Sequence, residues 1–245
     1  MLRRRIDILG VFVDDVTIDE AVDIICDFAA SGSFHHVVTV NPEFVMTARR
    51  NRAFAAVLNG ADLAVPDGIG IVWAARYLGQ PLRTRVAGVD LVQQVAAAAA
   101  QRGLRVFFLG AAPGVAEAAA SRLAGLYAGL PVAGTYAGSP RCEDTEDILA
   151  RLSSGKPDIL LVAYGAPHQD LWIRHNAQRL GVSVAIGVGG AFDFISGRAQ
   201  RAPGWMRRLG LEWLHRLIRQ PWRWRRMLAL PAFVWAVLLE RTPAK

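Results

Sequence analysis

Asp67 sits between Pro66 and Gly68 at the end of an apolar run, and the nearest basic residues in sequence are Arg52 and Arg76. No local ion pair explains it. A carboxylate held there can serve as a general base. It can equally serve as the N-cap of a helix opening near Gly70, a task Asp performs well. Asp193, in the run Gly190-Ala-Phe-Asp-Phe194, carries the same two readings. Around these acids, glycine or proline recurs just after apolar runs: Val65-Pro-Asp-Gly68, Leu109-Gly110, Tyr164-Gly165 and Val188-Gly-Gly190. Glycines so placed let backbone N–H groups approach a phosphate or sugar closely, beside the positive end of a helix. Each taken alone is also an ordinary turn.

Other chemistries find little support. No Gly-x-Gly-x-x-Gly run follows a strand and no Walker loop is present, which removes the usual grips on dinucleotides and nucleoside triphosphates. No Asp-x-Asp pair occurs, and His35, His36, His168, His175 and His215 lack paired zinc spacing. The acids from Glu143 to Asp147 suit the first turn of a helix, where the dipole favours them. Neither a metal nor a cofactor is therefore expected. Cys26 and Cys142 are far apart, as in a free-thiol cytoplasmic protein.

The elements that must position these residues follow from pattern. Apolar runs at 37–40, 61–65, 104–109, 130–135, 158–163 and 182–188 read as strands. Helical runs at 43–58, 69–78, 89–102, 143–152 and from Pro167 to Arg179 separate them, and Pro113 is placed to open another. Continuous apolar strands alternating with helices imply a mostly parallel sheet covered on both faces, a doubly wound, Rossmann-like α/β fold with ligands beyond the strands' carboxyl ends. The acids of the opening segment, Asp7, Asp14 and Asp15, break any signal-peptide core.

The end of the chain has a different texture. Residues 196–245 hold ten Arg and one Lys against Glu212 and Glu240, +9 within a chain of formal net charge +7, so residues 1–195 sum to −2. Five of the seven Trp lie there too: Trp205, Trp213, Trp222, Trp224 and Trp235. Arginine attracts phosphate, and Trp favours the boundary of water and an apolar phase. This reads as a basic appendage held against an anionic surface, or as a helical tail that packs Trp inward and leaves Arg solvated. Two helices are expected, 205–219 and 221–239, broken at Gln220-Pro221, giving an α/β domain over 1–196 and a helical appendage over 197–245. The apolar run from Met227 to Leu239 is thirteen residues long, short of the roughly 20 that span a bilayer. Arg with Trp also suits nucleic acid, but the basic excess is confined to the tail and no reader motif accompanies it. No nucleic-acid partner is expected.

Taken in order, the segments resemble one family. Thr39-Val-Asn41-Pro-Glu, Val65-Pro-Asp67-Gly68-Ile-Gly70, Arg85-Val-Ala-Gly88-Val-Asp90-Leu and Phe107-Phe-Leu-Gly110 carry the likeness. So do Gly165-Ala-Pro167-His-Gln169-Asp-Leu-Trp172, Gly187-Val-Gly-Gly190-Ala-Phe-Asp193, Arg201-Ala-Pro203 and Leu211-Glu212-Trp213-Leu-His-Arg216. Over roughly residues 35–230 the chain resembles the WecG/TagA/CpsF family of bacterial glycosyltransferases. The resemblance implies an inverting, metal-independent enzyme. It would move N-acetylmannosamine, its uronic acid or a hexose such as glucose from a UDP-sugar to a polyprenyl-diphosphate-linked saccharide, in the making of a cell-surface or exopolysaccharide. It also implies a peripheral place on the inner face of the cytoplasmic membrane, and self-association is compatible with it.

Residue by residue, it makes Asp67 the base and puts Thr39, Asn41, Arg85 and Gln169 in the same pocket. Gly110, Gly165 and Asp193 are taken as further substrate-binding positions. Arg216, Arg223 and Arg226 fall on the appendage's arginines, expected to hold the diphosphate. The chain departs from the family pattern at His168 and Asp170, where Lys and Glu are usual, and at Ala87, where Thr or Pro is commoner.

Overall fold

The computed structural model describes residues 3–240. A β-hairpin comes first, β1 (Arg5–Ile8) and β2 (Val11–Asp14), followed by α1 (Ile18–Ala30). The chain then runs β3 (His35–Val40), α2 (Pro42–Ala48), α3 (Arg52–Asn59), β4 (Leu63–Pro66), α4 (Ile69–Tyr77), α5 (Gly88–Arg102) and β5 (Val106–Gly110). Next come α6 (Val115–Leu126), β6 (Val132–Tyr136), α7 (Cys142–Gly155), β7 (Ile159–Ala163), α8 (His168–Asn176), β8 (Val184–Gly187) and α9 (Ala191–Ile195).

Six strands form one sheet in the order β4-β3-β8-β7-β5-β6, every pair parallel. Side chains alternate between its faces, as a two-residue period requires. Val37, Leu63, Phe108, Leu161 and Ile186 enter the core under α1, α5, α6 and α9. Their neighbours Val38 and Ala64 enter a second core with the hairpin, α2, α3 and α4, while Phe107, Leu160 and Ala185 pack with α7 and α8. This is the doubly wound, Rossmann-like sheet that the strand pattern implies.

Local chemistry sets several boundaries that the sequence pattern misplaces. The expected helix over 43–58 is two helices. Asn51 accepts from Phe54 N–H at 3.0 Å and caps α3, ending the run after Ala48. Pro113 lies in the turn before α6 rather than opening it, and Gly114 precedes the first helical residue with φ +80°. The hairpin and α1 were not assigned from the sequence. Asp14 fixes the hairpin by accepting from Ala64 N–H at 2.7 Å, and a Thr17–Glu20 capping box starts α1.

From Gly197 onward the two expected helices are several. They are α10 (Gly204–Arg208), α11 (Glu212–Arg219), a 3-10 turn (Pro221–Arg223), α12 (Trp224–Met227) and α13 (Ala229–Glu240). Gly210, at φ +73°, makes the break between α10 and α11. Arg241 and Lys245, counted in the basic charge, lie outside the described residues. The appendage packs back onto the body, and Phe233 and Val237 of α13 are buried in the core shared by α2 and α4. No helix among the described residues is long and apolar enough to cross a membrane.

Gly110 closes β5 at φ +101°, and a Cβ there would meet the Ala163 backbone at 2.9 Å. We expect Gly110→Ala to lose more than about 1 kcal/mol of stability, from the left-handed backbone and the clash with β7. Urea unfolding should show a lower midpoint with an unchanged slope.

Candidate active site

Parallel register brings the strand ends together. Thr39 pairs with Val65 and Val40 with Pro66, while Val38 and Val162 both align with Gly187. The loops after β3, β4, β5, β7 and β8 therefore open on one side, and the appendage arches over them. Between them lies a cavity of about 1400 Å³. Sites for one small ligand are typically about 300–1,000 Å³, so this one has room for two substrates at once.

Asp67 faces that cavity from the end of β4. Its backbone N–H donates to Val40 O at 2.7 Å, which fixes the loop to β3. The capping alternative fails: Gly68 is the N-cap of α4 and no side chain caps that helix. The carboxylate opens only onto the cavity and is otherwise enclosed by protein. Burial pushes its pKa up to about 6, against the pull of Arg85 and of the Gly88 N–H, with Glu212 and Asp90 adding to the rise. A carboxylate near 6 is ionised at neutral pH yet basic enough to accept a proton.

Thr39 and Asn41 line the same cavity, and each also holds structure. Thr39 Oγ1 donates to Gly187 O at 2.9 Å, stitching β3 to β8. Asn41 Oδ1 caps α2 by accepting from Phe44 N–H at 3.1 Å. Arg85 lines the cavity and pairs through Nη1 with Glu212 Oε2 at 2.9 Å. Gly165 and Asp193 line it as well.

Two of the expected pocket residues are placed differently. Gly110 is absent from the wall, where Ala111 and Ala112 stand instead. Gln169 is fully buried behind the wall. Its Oε1 accepts from Gly165 N–H and from Gly189 N–H, both at 3.0 Å. It acts on the pocket by clamping the β7 and β8 loops together. Beside it, Asp170 faces His36 Nε2 at 3.4 Å, both buried. Gly187 leaves the space this pair and Gln169 occupy, since a Cβ there would collide with both side chains.

The appendage supplies the positive side. Arg216 stacks over Phe194 with its guanidinium carbon 4.8 Å from the ring centroid. Burial lowers its pKa, and Asp193 works the other way. Arg223 is pushed down to about 10 by burial and by Arg216 and Arg226. Among the described residues neither Arg216 nor Arg223 forms an ion pair with a carboxylate, and the Nε of each is buried without a partner. Arg226 instead grips Glu43 at 2.6 and 2.9 Å. Half-buried guanidiniums without a carboxylate partner in a cavity wall suit a multivalent anion.

Sequence reasoning overlooked Arg201, Asp90 and Glu212 as site residues. Arg201 makes a bidentate pair with Asp90 and reaches Glu212 at 3.5 Å. The signal was available: Glu212 is the one acid among the basic residues of the tail before Glu240. Among the described residues no cluster of three or more His, Cys, Asp or Glu is arranged to hold a metal.

A family model described as "Glycosyl transferase WecG/TagA/CpsF family" matches residues 6–245. The chain belongs to this family. It is a glycosyltransferase. A relative from Bacillus spizizenii is 40% identical over 210 residues, 85% of this chain and 81% of its own. One from Bacillus subtilis strain 168 is 36% identical over 209 residues, with the same shares covered. One from Staphylococcus aureus strain MW2 is 34% identical over 243 residues, 98% of this chain and 95% of its own. All three are named N-acetylglucosaminyldiphosphoundecaprenol N-acetyl-beta-D-mannosaminyltransferase.

The clamp can be tested apart from the chemistry. Gln169→Leu leaves two loop N–H groups without their acceptor, and we expect a loss of about 1–3 kcal/mol. Glycosyl transfer should then show a raised donor KM, because the Gly165 and Gly189 loops no longer hold one spacing. A thermal melt and donor titration equal to wild type would contradict that role.

Proposed function

We propose that the protein transfers N-acetylmannosamine, with inversion, from a UDP-sugar to N-acetylglucosaminyl-diphosphoundecaprenol. The observation that carries the reaction type is the opposition within one cavity of Asp67, ionisable near pH 6, and the unpaired guanidiniums of Arg216 and Arg223. The names of the relatives supply the sugar and the acceptor. They favour N-acetylmannosamine over the uronic acid and the hexoses that the family resemblance also allows.

In this reading Asp67 takes the proton from the acceptor hydroxyl as its oxygen attacks the anomeric carbon. The bond from that carbon to the diphosphate breaks on the opposite face, and UDP departs with the bonding electrons. A β-glycoside formed from an α-linked nucleotide sugar is the outcome of such a single displacement. Negative charge grows on the leaving diphosphate, and Arg216 and Arg223, with Arg226 beside them, offset it. The arginines need no metal to do so. Six of the tail's arginines, Arg198, Arg201, Arg216, Arg219, Arg223 and Arg226, line the cavity, so its basic excess is turned largely inward rather than laid along an outer track of the kind that nucleic acid follows.

The test is transfer from UDP-N-acetylmannosamine to a short-chain lipid-diphosphate acceptor, with and without EDTA. Asp67→Asn should lower kcat by about 10²–10⁴, the usual worth of a general base. Wild-type kcat should fall as pH drops through about 6, since protonation removes the base. EDTA should change nothing. Near-normal turnover in Asp67→Asn, or loss in EDTA restored by Mg²⁺ or Mn²⁺, contradicts the mechanism.

The acceptor is a lipid, and the appendage is suited to its surface. Trp222, Trp224 and Trp235 are 72%, 53% and 65% exposed. Leu228 and Leu239 are exposed with them, beside Arg225. Indoles partition to the interface, and each basic residue near an anionic bilayer contributes about 1 kcal/mol. Trp222 also lines the cavity, so we expect Trp224→Ala/Trp235→Ala, which spares it, to weaken binding to anionic vesicles at least about tenfold, or about 1.4 kcal/mol. Turnover on a water-soluble acceptor should persist. Unchanged vesicle binding would remove the surface from this reading.

A further inference from the structure

Four charged side chains form an alternating chain beside Asp67. Arg85 Nη1 meets Glu212 Oε2 at 2.9 Å. The other oxygen of Glu212 meets Arg201 Nη2 at 3.5 Å, and Arg201 closes on Asp90 through both of its terminal nitrogens. The members come from separate pieces of the fold. Arg85 precedes α5 and Asp90 lies in it, Arg201 belongs to the stretch between α9 and α10, and Glu212 opens α11 of the appendage. All but Asp90 face the cavity directly. No sequence motif gave Glu212 a role, and charge complementarity within a basic tail does not require it to reach into the site.

What matters is which carboxylate Arg85 serves. Two acids compete for it, Asp67 and Glu212, and the ion pair goes to Glu212. A guanidinium bound to Asp67 would hold that carboxylate ionised but depress its basicity. Held by Glu212, Arg85 leaves Asp67 available. We propose that Glu212 is a positioning residue for the base: with the appendage docked, it draws Arg85 away from Asp67, so that the base is most basic when the arginines of the same appendage are over the leaving group. This rests on the reading of Asp67 as the base. The charges facing Asp67 are Arg85 and Asp90 from the body and Glu212 and Arg216 from the appendage.

The sign of each change follows. Removing the charge of Glu212 releases Arg85 to Asp67 and deletes a repelling carboxylate, and both effects favour the ionised base. In Glu212→Gln the acid limb of kcat should move down by about one pH unit, the low end of the effect of a neighbouring opposite charge. The plateau rate should fall about three- to tenfold, as a weaker base transfers the proton less readily. Arg85→Gln removes the shared cation, so its acid limb should move up by a similar amount, independently of whether Glu212→Gln folds.

A residue that only anchors the tail would lower kcat or raise KM while leaving the limb in place. An unmoved acid limb in Glu212→Gln overturns the proposal, and so does an unmoved or lowered limb in Arg85→Gln. Wild type and Asp67→Asn run in the same assay keep the two ideas apart. If Asp67→Asn stays active, the base assignment itself fails. If it is inactive and the limbs do not move, only the role of Glu212 fails.

Discussion

Everything around the cavity answers to one electrostatic constraint: two guanidiniums, on Arg216 and Arg223, are half-buried in its wall, and among the described residues no carboxylate pairs with either. Partly desolvated charge of one sign is unfavourable until something of opposite sign arrives, though open access to solvent screens part of that penalty. The protein tolerates it because the cleft is open to ligand and because stacking on Phe194 offers partial compensation for Arg216. A diphosphate satisfies the arrangement and a neutral sugar does not. In the proposed reaction the attraction is greatest as the diphosphate gains charge on leaving.

The two walls differ in how firmly they are made. The floor is backbone: strand ends in parallel register, tied by the Thr39 hydroxyl to Gly187 and by Gln169 to the Gly165 and Gly189 loops. Its groups are buried and largely hydrogen-bonded, so its geometry is set when the sheet forms. The roof is short helices joined by turns at Gly210 and Gln220, held by ion pairs such as Arg226 to Glu43 and Arg85 to Glu212. Partly exposed pairs of that kind are worth far less than a core. Asp67 thus stands on the rigid side, and Arg216 and Arg223 on the yielding side.

That division also explains what the sequence disclosed. Continuous apolar strands and the glycines after them made the sheet and the position of its ligand cleft legible, since period-two burial leaves a direct trace in residue type. Asp67 was legible as an anomaly, but setting aside the N-cap reading needed the structure, because only there does Gly68 prove to be the cap. Gln169, placed in the pocket by family likeness, stands buried behind the pocket wall. Nothing in a local sequence tells a side chain that touches a ligand from one that holds two loops which do. The tail was read as two helices because its Arg and Trp spacing suits long helices, whereas Gly210 and the close packing against Ile69 cut it short. Arg201, Asp90 and Glu212 stand in the blocks that carry the family likeness but drew no role there, because their meaning lies in pairings between segments over a hundred residues apart, at separations of 111 for Arg201–Asp90 and 127 for Arg85–Glu212.

The final helix shows why catalysis and surface are joined in one appendage. Apart from Glu240, α13 carries no charged residue, so neither of its faces is suited to water. Phe233 and Val237 settle one face by entering the core beside α2, whose own N-terminal residues Pro42 and Glu43 line the cavity. The opposite face, with Trp235, Leu238 and Leu239, stays exposed. Whatever covers that face presses on a helix whose inner side rests on a wall of the active site. Arg226, one short turn before α13, holds Glu43 of that same wall. An apolar surface that receives the outer face therefore acts on the cavity through two contacts on α2, one by packing and one by charge. The exposed face of α13 and the α2 wall of the cavity are linked through the same few residues.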